Sequence, residues 1–150
     1  MDKQLRIRPY QITDLEDILT IFDSNVPQYF AASERADLIR YLQEEIADYF
    51  VVLQQDRLIG AGGINYDADG TTARLSWDFI DQNFQKSGAG TFLTHYRIQH
   101  ALAKENIDTI MVRTSQLAEA FYAKQGFHVL ERITDYWAPG FDMVNMRYQP

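Results

Sequence analysis

The sequence has no cysteine, which excludes disulfide scaffolds, zinc–thiolate sites, iron–sulfur clusters and cysteine nucleophiles. It also has no run of lysine or arginine. Its 14 basic side chains are outnumbered by 21 acidic ones, which gives a formal net charge of −7. Because such a chain repels a polyanionic backbone, we expect no nucleic-acid partner.

Long hydrophobic runs are absent as well. The longest stretch without a strongly polar residue is Leu58–Ile64, which is rich in glycine and far shorter than the ~20 apolar residues that a bilayer requires. No apolar stretch follows a basic start near the beginning of the chain, where a secretory signal peptide would have one. We therefore expect a cytoplasmic protein without a membrane partner.

The composition is that of a folded protein, because 46% of the 150 residues are hydrophobic and 23% are charged. This length predicts one domain that spans residues 1–150. Alternating apolar residues over positions 5–9 predict a first strand. Thr13 and Glu16 match a capping box, which would start the helix that follows.

The remaining elements occur in an order that indicates a mixed α/β fold. A second helix begins near Ser33, and three strands joined by short turns then favour an antiparallel meander. The helix between the third of these strands and the next one permits a parallel crossover. The predicted strands are 49–53, 58–66, 72–80, 109–112, 128–133 and 143–147, and the last two helices are 88–104 and 117–125.

The segment with the clearest chemical meaning is Gln85–Gly90, which lies between a predicted strand and a predicted helix. Its two glycines, Gly88 and Gly90, let the backbone turn tightly and approach a ligand closely. The helix N-terminus behind them presents N–H groups and a positive dipole, which suits a phosphate or pyrophosphate. An ordinary glycine turn is the alternative explanation.

Two better-known phosphate motifs do not fit the sequence. A Walker A loop needs a lysine after its last glycine, whereas Gly90 is followed by Thr91. A dinucleotide-binding fingerprint needs a third glycine where Leu93 stands. The other glycine-rich stretch, Gly60–Gly63, lies inside a strand pattern and does not form that fingerprint either.

A second segment, Leu117–Phe127, predicts a short amphipathic helix with Phe121 in the core and Gly126 at its end. Tyr122 lies in the middle of this helix. A phenol can donate a proton to a departing thiolate or amine where the geometry allows. A core or surface role for this tyrosine is the alternative.

Taken together, the two segments resemble the signatures of the GNAT superfamily of acetyl-CoA-dependent N-acetyltransferases. Gln85–Gly90 matches the family's Gln/Arg-x-x-Gly-x-Gly/Ala loop, and Ala118–Phe127 is similar to its second signature, which ends in Gly-Phe. The resemblance covers nearly the whole chain. It implies an α/β (α+β) fold: a central mixed, mostly antiparallel sheet of six to seven strands, about four helices, and a splayed strand pair that admits the cofactor.

The resemblance also implies which residues hold acetyl-CoA. The backbone of Phe79 and Ile80 would pair with the pantetheine arm, and a backbone N–H near Ile80 would polarise the acetyl carbonyl. Tyr122 would lie near the sulfur and protonate the leaving thiolate. The pyrophosphate would be held by the backbone amides of one loop: Gln85, Lys86, Ser87, Gly88, Ala89, Gly90 and Thr91.

At two places the sequence departs from the family pattern. Ser115 stands where many relatives have an asparagine that contacts the cofactor. Arg74 stands where some relatives have a glutamate general base, so that base is missing here. Asp78 and Glu34 are the alternative carboxylates, and a chain of water molecules is a third way to carry the proton.

Aromatic residues are plentiful, and several fall in segments that flank the acceptor cleft in this fold: Tyr29, Phe30, Trp77, Tyr136 and Trp137. The last two belong to residues 135–142, a predicted loop that we interpret as an aromatic lid over the acceptor site. The three histidines lack the spacing of metal ligands, so we expect no metal.

The leading hypothesis is an N-acetyltransferase that moves an acetyl group from acetyl-CoA to a primary amine by direct attack in a ternary complex. The acceptor would be a small molecule or a peptide, and a homodimer, which is common in this fold, is left open. The second hypothesis is a non-catalytic acyl-CoA-binding or sensing module. An α/β domain with an unrelated ligand is the third.

Overall fold

The computed structural model describes residues 4–150, so the first three residues of the predicted domain lie outside it. One seven-stranded sheet is built from β1 (Leu5–Pro9), β2 (Asp48–Gln54), β3 (Arg57–Tyr66), β4 (Thr72–Ile80), β5 (Thr109–Thr114), β6 (Phe127–Ala138) and β7 (Phe141–Tyr148). Four α-helices accompany it: α1 (Leu15–Ser24), α2 (Glu34–Glu44), α3 (Ala89–Leu102) and α4 (Glu119–Lys124). The predicted α/β (α+β) fold class is confirmed.

The strands are arranged in the order β1-β2-β3-β4-β5-β7-β6. Neighbouring strands are antiparallel except β4 and β5, which run parallel and are connected through α3. Only residues 72–75 of β4 pair with residues 109–112 of β5, so the two strands separate beyond this point. The predicted splay is therefore confirmed, and it opens a cleft in the middle of the sheet.

Each face of the sheet buries its own apolar cluster. On one face, α3 and α4 pack over residues such as Leu75 and Val112. On the other face, α1 and α2 pack over Val51 and Phe79. Strands covered on both faces read as nearly continuous apolar runs, which is why β2 and β3 are so rich in valine, isoleucine and small residues. Within residues 4–150, we find no helix with the length and apolar character to cross a membrane.

The start of α1 differs from the predicted capping box of Thr13 and Glu16. Thr13 lies in a 3-10 turn that precedes the helix. The Asp14 carboxylate closes this turn, because it accepts from the Gln11 backbone N–H at 2.8 Å and from the two terminal nitrogens of Arg8 at 2.8 and 2.9 Å. A bidentate, charge-assisted contact is stronger than a hydroxyl cap, and local sequence pattern does not show that β1 supplies it.

The segment 135–142, predicted as a loop, is mostly strand. β6 and β7 form a long antiparallel hairpin whose connection consists of Pro139 and Gly140 alone. Gly140 has a φ of 84°, a conformation that glycine adopts at no steric cost, so two residues suffice for the turn. The aromatic residues of this segment therefore lie on strands rather than on a mobile lid.

Candidate active site

The separation of β4 from β5 opens a cleft of about 860 Å³. Its walls come from β4, the end of β5, the N-terminus of α3, α4, the α1–α2 region and the β6–β7 hairpin. Most of the predicted site residues line it: Glu34, Asp78, Phe79, Ile80, Gln85, Lys86, Gly88, Gly90, Thr91, Ser115 and Tyr122. The structure thus brings together residues from positions 34 to 122 of the chain.

Two residues of the predicted loop, Ser87 and Ala89, lie beside the cleft rather than in its wall. Ala89 is 1% exposed and packs into the core. The Ser87 hydroxyl accepts from the Ala89 backbone N–H at 3.3 Å, which fastens the first turn of α3. Their predicted contact with a ligand is through backbone amides, and it stays a prediction.

Gly88 and Gly90 are glycines for different reasons. Gly88 is the N-cap of α3 with a φ of 89°, and a side chain there would meet no atom within 4 Å. Its backbone conformation is therefore what requires glycine. A Cβ on Gly90 would stand 3.4 Å from the Phe121 ring, so this glycine allows α3 and α4 to approach. The first-turn amides of α3 have no intrahelical acceptor and suit an anion.

A bulge interrupts β4 at Trp77 and Asp78, where the register with β3 shifts. Trp77 has a φ of 44°, which is a strained conformation for a bulky side chain. The extra residue sends Trp77 into the cluster under α1 and α2, while Asp78 contacts α3 on the opposite face. Bulges often redirect side chains beside functional sites in this way.

Beyond the bulge, Phe79 and Ile80 direct their backbone groups to opposite sides of β4. The Asp81 N–H donates to the Ile59 carbonyl of β3 at 2.7 Å, and groups two residues apart on a strand face the same side, so the Phe79 backbone faces β3. The Ile80 backbone faces the cleft, where its carbonyl accepts from Asn25 Nδ2 at 3.0 Å. The geometry favours Ile80 over Phe79 for the predicted pantetheine contact.

At the bulge, the partly exposed Asp78 contacts the buried Arg97 and Tyr122, and we call these three residues the charge cluster. Arg97 of α3 is fully buried; its Nη2 lies 2.5 Å from Asp78 Oδ2, and its Nη1 donates to the Gly63 carbonyl at 3.1 Å. The Tyr122 hydroxyl of α4 donates to the same Asp78 oxygen and lies 3.4 Å from Arg97 Nη2. Asp78 Oδ1 accepts no hydrogen bond from residues 4–150, and 27% of the Asp78 side chain is exposed.

Burial shapes the electrostatics of this cluster. It raises the pKa of the Tyr122 hydroxyl, and the negative charge of Asp78 raises that pKa further, so Tyr122 is protonated at neutral pH. Burial by itself lowers the pKa of Arg97, but the adjacent Asp78 carboxylate and Tyr122 oxygen more than reverse this effect, and the guanidinium stays charged. The cluster is therefore a neutral unit made of two opposite charges and one phenol.

Sequence reasoning missed Arg97 and Asn25. A signal for Arg97 was present, because it falls in the i, i+4 series of Ala89, Leu93 and Ala101 on the apolar face of α3. Asn25 follows the last residue of α1, and the local sequence gives no sign of its role. In the structure Asn25 is 2% exposed, and its amide links the end of that helix to β4.

The other end of the cleft is aromatic. The rings of Phe30 and Trp77 stack with centroids 6.3 Å apart and an interplanar angle of 14°. Trp137 also lines this end and donates from Nε1 to the Thr114 carbonyl at 3.1 Å. Tyr136, predicted to belong here, is 48% exposed and lies outside the lining. Further aromatic residues that line the cleft include Tyr29, Tyr41 and Phe141.

Glu34 occupies the same end of the cleft, at the start of α2. Its carboxylate accepts from the Ala31 backbone N–H at 2.8 Å, and only 6% of the residue is exposed. Burial raises the pKa of Glu34. Arg74, at the position where some relatives have a base, pairs with Asp67 at 2.9 Å. Glu34 is therefore a carboxylate of the aromatic end, apart from the charge cluster.

The Ser115 hydroxyl accepts from the Leu117 backbone N–H at 3.2 Å and so stabilises the turn before α4. Its predicted contact with the cofactor stays a prediction. Among residues 4–150 there is no group of three or more side chains that could hold a metal ion.

A family model described as the Acetyltransferase (GNAT) domain matches residues 22–150 of the chain. The chain belongs to the GNAT acetyltransferase family. The resemblance drawn from the two signatures is confirmed, and the protein is an acyltransferase. The sequence indicates three features of this GNAT domain: the splayed strands, the glycine-rich start of α3 and the tyrosine of α4.

Solved structures of GNAT enzymes share this fold, and we give three of them. An aminoglycoside 6'-N-acetyltransferase complexed with coenzyme A has 14% identity and a TM-score of 0.76, covering 97% of this chain and 99% of that one. Spermidine N-acetyltransferase from Vibrio cholerae, in complex with CoA and spermine, has 17% identity and a TM-score of 0.75, covering 97% and 95%. A ribosomal-protein alanine N-acetyltransferase from Escherichia coli has 20% identity and a TM-score of 0.74, covering 97% and 94%.

At these identities the three structures establish the fold and not the acceptor of the present GNAT domain. No curated protein sequence matches the chain.

Proposed function

We propose that this GNAT domain transfers an acetyl group from acetyl-CoA to the amine of a small molecule or a peptide, by direct attack in a ternary complex. The observation that carries the proposal is one continuous cleft with an anion-binding helix N-terminus at one end and an aromatic wall at the other. Asp78 lies between them on β4, with Trp77 on one side and Ile80 two residues further along.

The cofactor end fits a nucleotide with an extended arm. The first-turn amides of α3 and the Lys86 side chain supply positive potential for the pyrophosphate. The gap between β4 and β5 accepts an extended chain as an added strand, and the Ile80 backbone offers it hydrogen bonds. Solved relatives hold coenzyme A, which supports acetyl-CoA as the acyl donor.

Acetyl transfer from a thioester needs a polarised carbonyl and two proton movements. The Ile80 N–H, which faces the cleft, would donate to the carbonyl oxygen as its charge develops. The attacking nitrogen must lose a proton and the sulfur must gain one. We assign the first proton to Asp78, because this carboxylate lies where the two ends of the cleft meet, and the second proton to Tyr122. Glu34 is assigned to acceptor binding.

The aromatic end suits an amine with an apolar body. The stacked Phe30 and Trp77 rings offer flat apolar surface, and Glu34 adds a carboxylate that attracts an ammonium group. The solved relatives named above act on an aminoglycoside, spermidine and a ribosomal protein. Their variety supports an amine acceptor in general, and the identity of the acceptor is left to a screen.

Two further expectations accompany the proposal, a cytoplasmic location and a possible homodimer. β6 is an edge strand of the sheet and exposes Leu130, Ile133 and Tyr136. Sedimentation or light scattering of the purified protein tests the dimer directly.

The proposal is tested first by thermal unfolding with acetyl-CoA, with ATP and NAD as controls. A ligand at ~100 times its dissociation constant adds about 2.7 kcal/mol of stability, which moves Tm by about 5–10 °C for a chain of this size. Mass spectrometry of an amine panel incubated with acetyl-CoA and the protein then detects acetylated product. A shift with acetyl-CoA but no product from any amine supports the binding-module hypothesis, and no shift supports an unrelated ligand.

A further inference from the structure

One member of the charge cluster, Arg97, has no role in the reaction as proposed above. Arg97 is a fully buried arginine in the middle of α3, and it contacts both groups to which we assign proton transfers. An isolated charge at such a place costs several kcal/mol of desolvation. A hydrophobic residue would fill the same space without this cost. We therefore look for the role of the arginine in its contacts with Asp78 and Tyr122.

Resting on the proposed acetyl transfer, we propose that Asp78 and Tyr122 are a coupled base and acid, and that Arg97 is the positioning residue that balances their charge. In the resting cluster the Tyr122 hydroxyl donates to Asp78 Oδ2, so its proton is held away from the cleft. A carboxylate only accepts hydrogen bonds. The acid is therefore engaged for as long as the base is ionised.

Protonation of Asp78 changes this arrangement. Asp78 Oδ1, which has no donor from residues 4–150, is the oxygen that can take the proton of the attacking amine. Once the carboxyl group is neutral, its hold on the Tyr122 proton weakens, because a charged acceptor binds a donor about twice as strongly as a neutral one. The Tyr122 proton then becomes available to the sulfur only after the base has acted.

The step balances without any further reactant. The C–N bond forms, the C–S bond breaks, one proton passes from nitrogen to Asp78, and one passes from Tyr122 to the leaving sulfur. The products are the amide and the free thiol of CoA. The protonated carboxyl group then turns towards the Tyr122 oxygen and returns a proton to it, which restores the starting state.

During this sequence the negative charge moves from Asp78 to Tyr122, and Arg97 contacts both positions. Its Nη2 lies 2.5 Å from the carboxylate oxygen and 3.4 Å from the phenol oxygen. The cluster therefore stays neutral overall before and after the transfer. Nη1 is anchored on the Gly63 carbonyl at 3.1 Å, so the guanidinium does not need to move.

Gly62 of β3 makes room for this arrangement. A Cβ on Gly62 would stand 2.8 Å from Asp78 Cβ and 3.3 Å from Arg97 Cζ. The absence of a side chain at this one position of the glycine-rich stretch therefore allows the aspartate and the arginine to meet against the strand.

The charged and titratable groups that face Asp78 come from three elements: Arg97 from α3, Tyr122 from α4 and Tyr49 from β2. Tyr41 of α2 interacts in turn with Arg97. Burial raises the pKa of all three tyrosines, so none of them ionises below neutral pH. An acid limb of kcat/KM that moves when Arg97 is replaced therefore belongs to a carboxylate of the cleft and not to a tyrosine.

The coupling is tested by a double-mutant cycle on kcat with Asp78→Asn, Tyr122→Phe and the double variant. We expect each single variant to lose about 100-fold, typical of acid–base catalysis, and the double variant to lose no more than the worse single one, because both changes interrupt one path. Losses that multiply in the double variant, or an Asp78→Asn variant with wild-type kcat, overturn the coupling.

Arg97 is tested by the pH profile of kcat/KM in Arg97→Met and Arg97→Lys. Without the guanidinium we expect the acid limb to move up by about one pH unit or more, and lysine, which keeps the charge, to restore most of it. Arg97→Gln, which is polar but uncharged, carries the test if Arg97→Met does not fold. The matched control is Arg8→Met, which breaks an arginine–aspartate pair outside the cleft and should leave the limb in place.

An acid limb that stays in place when Arg97 is replaced by an uncharged residue overturns the positioning role and leaves a purely structural ion pair. Glu34→Gln distinguishes the carboxylates, because the limb persists in that variant if it belongs to Asp78. A wild-type protein that binds acetyl-CoA but acetylates no amine refutes the proposed function and the coupling together. An active wild type with multiplicative losses refutes the coupling alone.

Discussion

The cleft and the corner between β1 and α1 each contain one arginine–aspartate pair, and the two pairs are used differently. At the corner, Asp14 is 8% exposed and Arg8 is 30% exposed. Every oxygen of Asp14 is satisfied by Arg8 or by the Gln11 backbone. In the cleft the exposure is reversed, because Arg97 is fully buried and Asp78 is 27% exposed.

The two pairs differ in whether the carboxylate keeps an oxygen without a donor, and we take this feature to separate a structural pair from a functional one. Asp14 has no oxygen left for a ligand, and its partner is only six positions away in the chain. Asp78 concentrates both described contacts on one oxygen and leaves the other without a donor from residues 4–150, and its partners lie 19 and 44 positions away. The same two residue types close a turn in one region and, in the reaction we propose, supply a proton acceptor in the other.

The largest difference is expected when each arginine is removed. Arg97→Met leaves a carboxylate in the wall of the core without its counter-charge, and we expect the free energy of unfolding to fall by about 3–5 kcal/mol. Arg8→Met leaves Asp14 with the Gln11 N–H, so we expect a loss of about 1–3 kcal/mol. Urea unfolding of the two variants at pH 7 measures both values, and equal losses would erase the distinction between the pairs.

Replacing each aspartate by asparagine separates rate from stability. Asp78→Asn keeps the shape of the side chain but removes the base, so we expect kcat to fall by about 100-fold. Asp14→Asn lies outside the cleft and should leave kcat unchanged while it lowers stability. Steady-state kinetics with the best amine of the screen checks this, and a rate loss in Asp14→Asn would contradict the assignment of roles.

Two left-handed glycines extend the comparison to the backbone. Gly88 in the cleft and Gly70 in the β3–β4 turn have φ values of 89° and 75°, and neither has an atom within 4 Å of an added Cβ. Valine at either position should cost about 1–2 kcal/mol of stability from backbone strain.

Only Gly88→Val should also weaken acetyl-CoA binding, by about tenfold or more, because it disturbs the amides at the start of α3. Titration calorimetry with both variants measures this. Equal affinities in Gly88→Val and Gly70→Val would show that the loop is only a turn.

The smallest effect is expected in the pH dependence of stability at the corner. The hydrogen bonds from Arg8 lower the pKa of Asp14 below its ordinary value of 3.8, so the carboxylate stabilises the folded state above that pH. This contribution is lost as the pH falls through the lower, folded-state pKa. Between pH 5 and pH 2, wild-type stability should therefore fall more steeply than that of Asp14→Asn. Urea unfolding at each pH measures both proteins. If the free energies of unfolding of wild type and Asp14→Asn fall in parallel with pH, Asp14 makes no such contribution.

The sequence predicted much of the structure at the glycine-rich end of the cleft, because that end is built from one local segment. Gln85–Gly90 is one continuous segment, and the periodicity on both sides of it shows where β4 ends and α3 begins. The splay of β4 and β5 followed from the family resemblance.

The sequence offered Asp78 and Tyr122 of the charge cluster as candidates, but not Arg97. The sequence offers Asp78 as a candidate base, but it does not show on which face of the sheet this side chain lies, because the bulge at Trp77 breaks the alternation of side chains between the two faces. Arg97 interrupts the otherwise apolar face of α3, so the sequence shows no partner for it. Its partner Asp78 lies on β4, which comes close only in the folded structure. Contacts between residues so far apart in the chain produce no regular spacing in the sequence from which they could be predicted.

The central claim is that the two ends of the cleft act together in one transfer. It is tested most directly by following free thiol with a thiol reagent while acetylated amine is measured by mass spectrometry in the same reaction. Because the chain has no cysteine, CoA is the only thiol that appears. The account predicts that thiol and acetylated amine form in equal amounts and only when protein, acetyl-CoA and amine are all present. Thiol release that does not depend on the amine, or none with any amine despite tight acetyl-CoA binding, would contradict it.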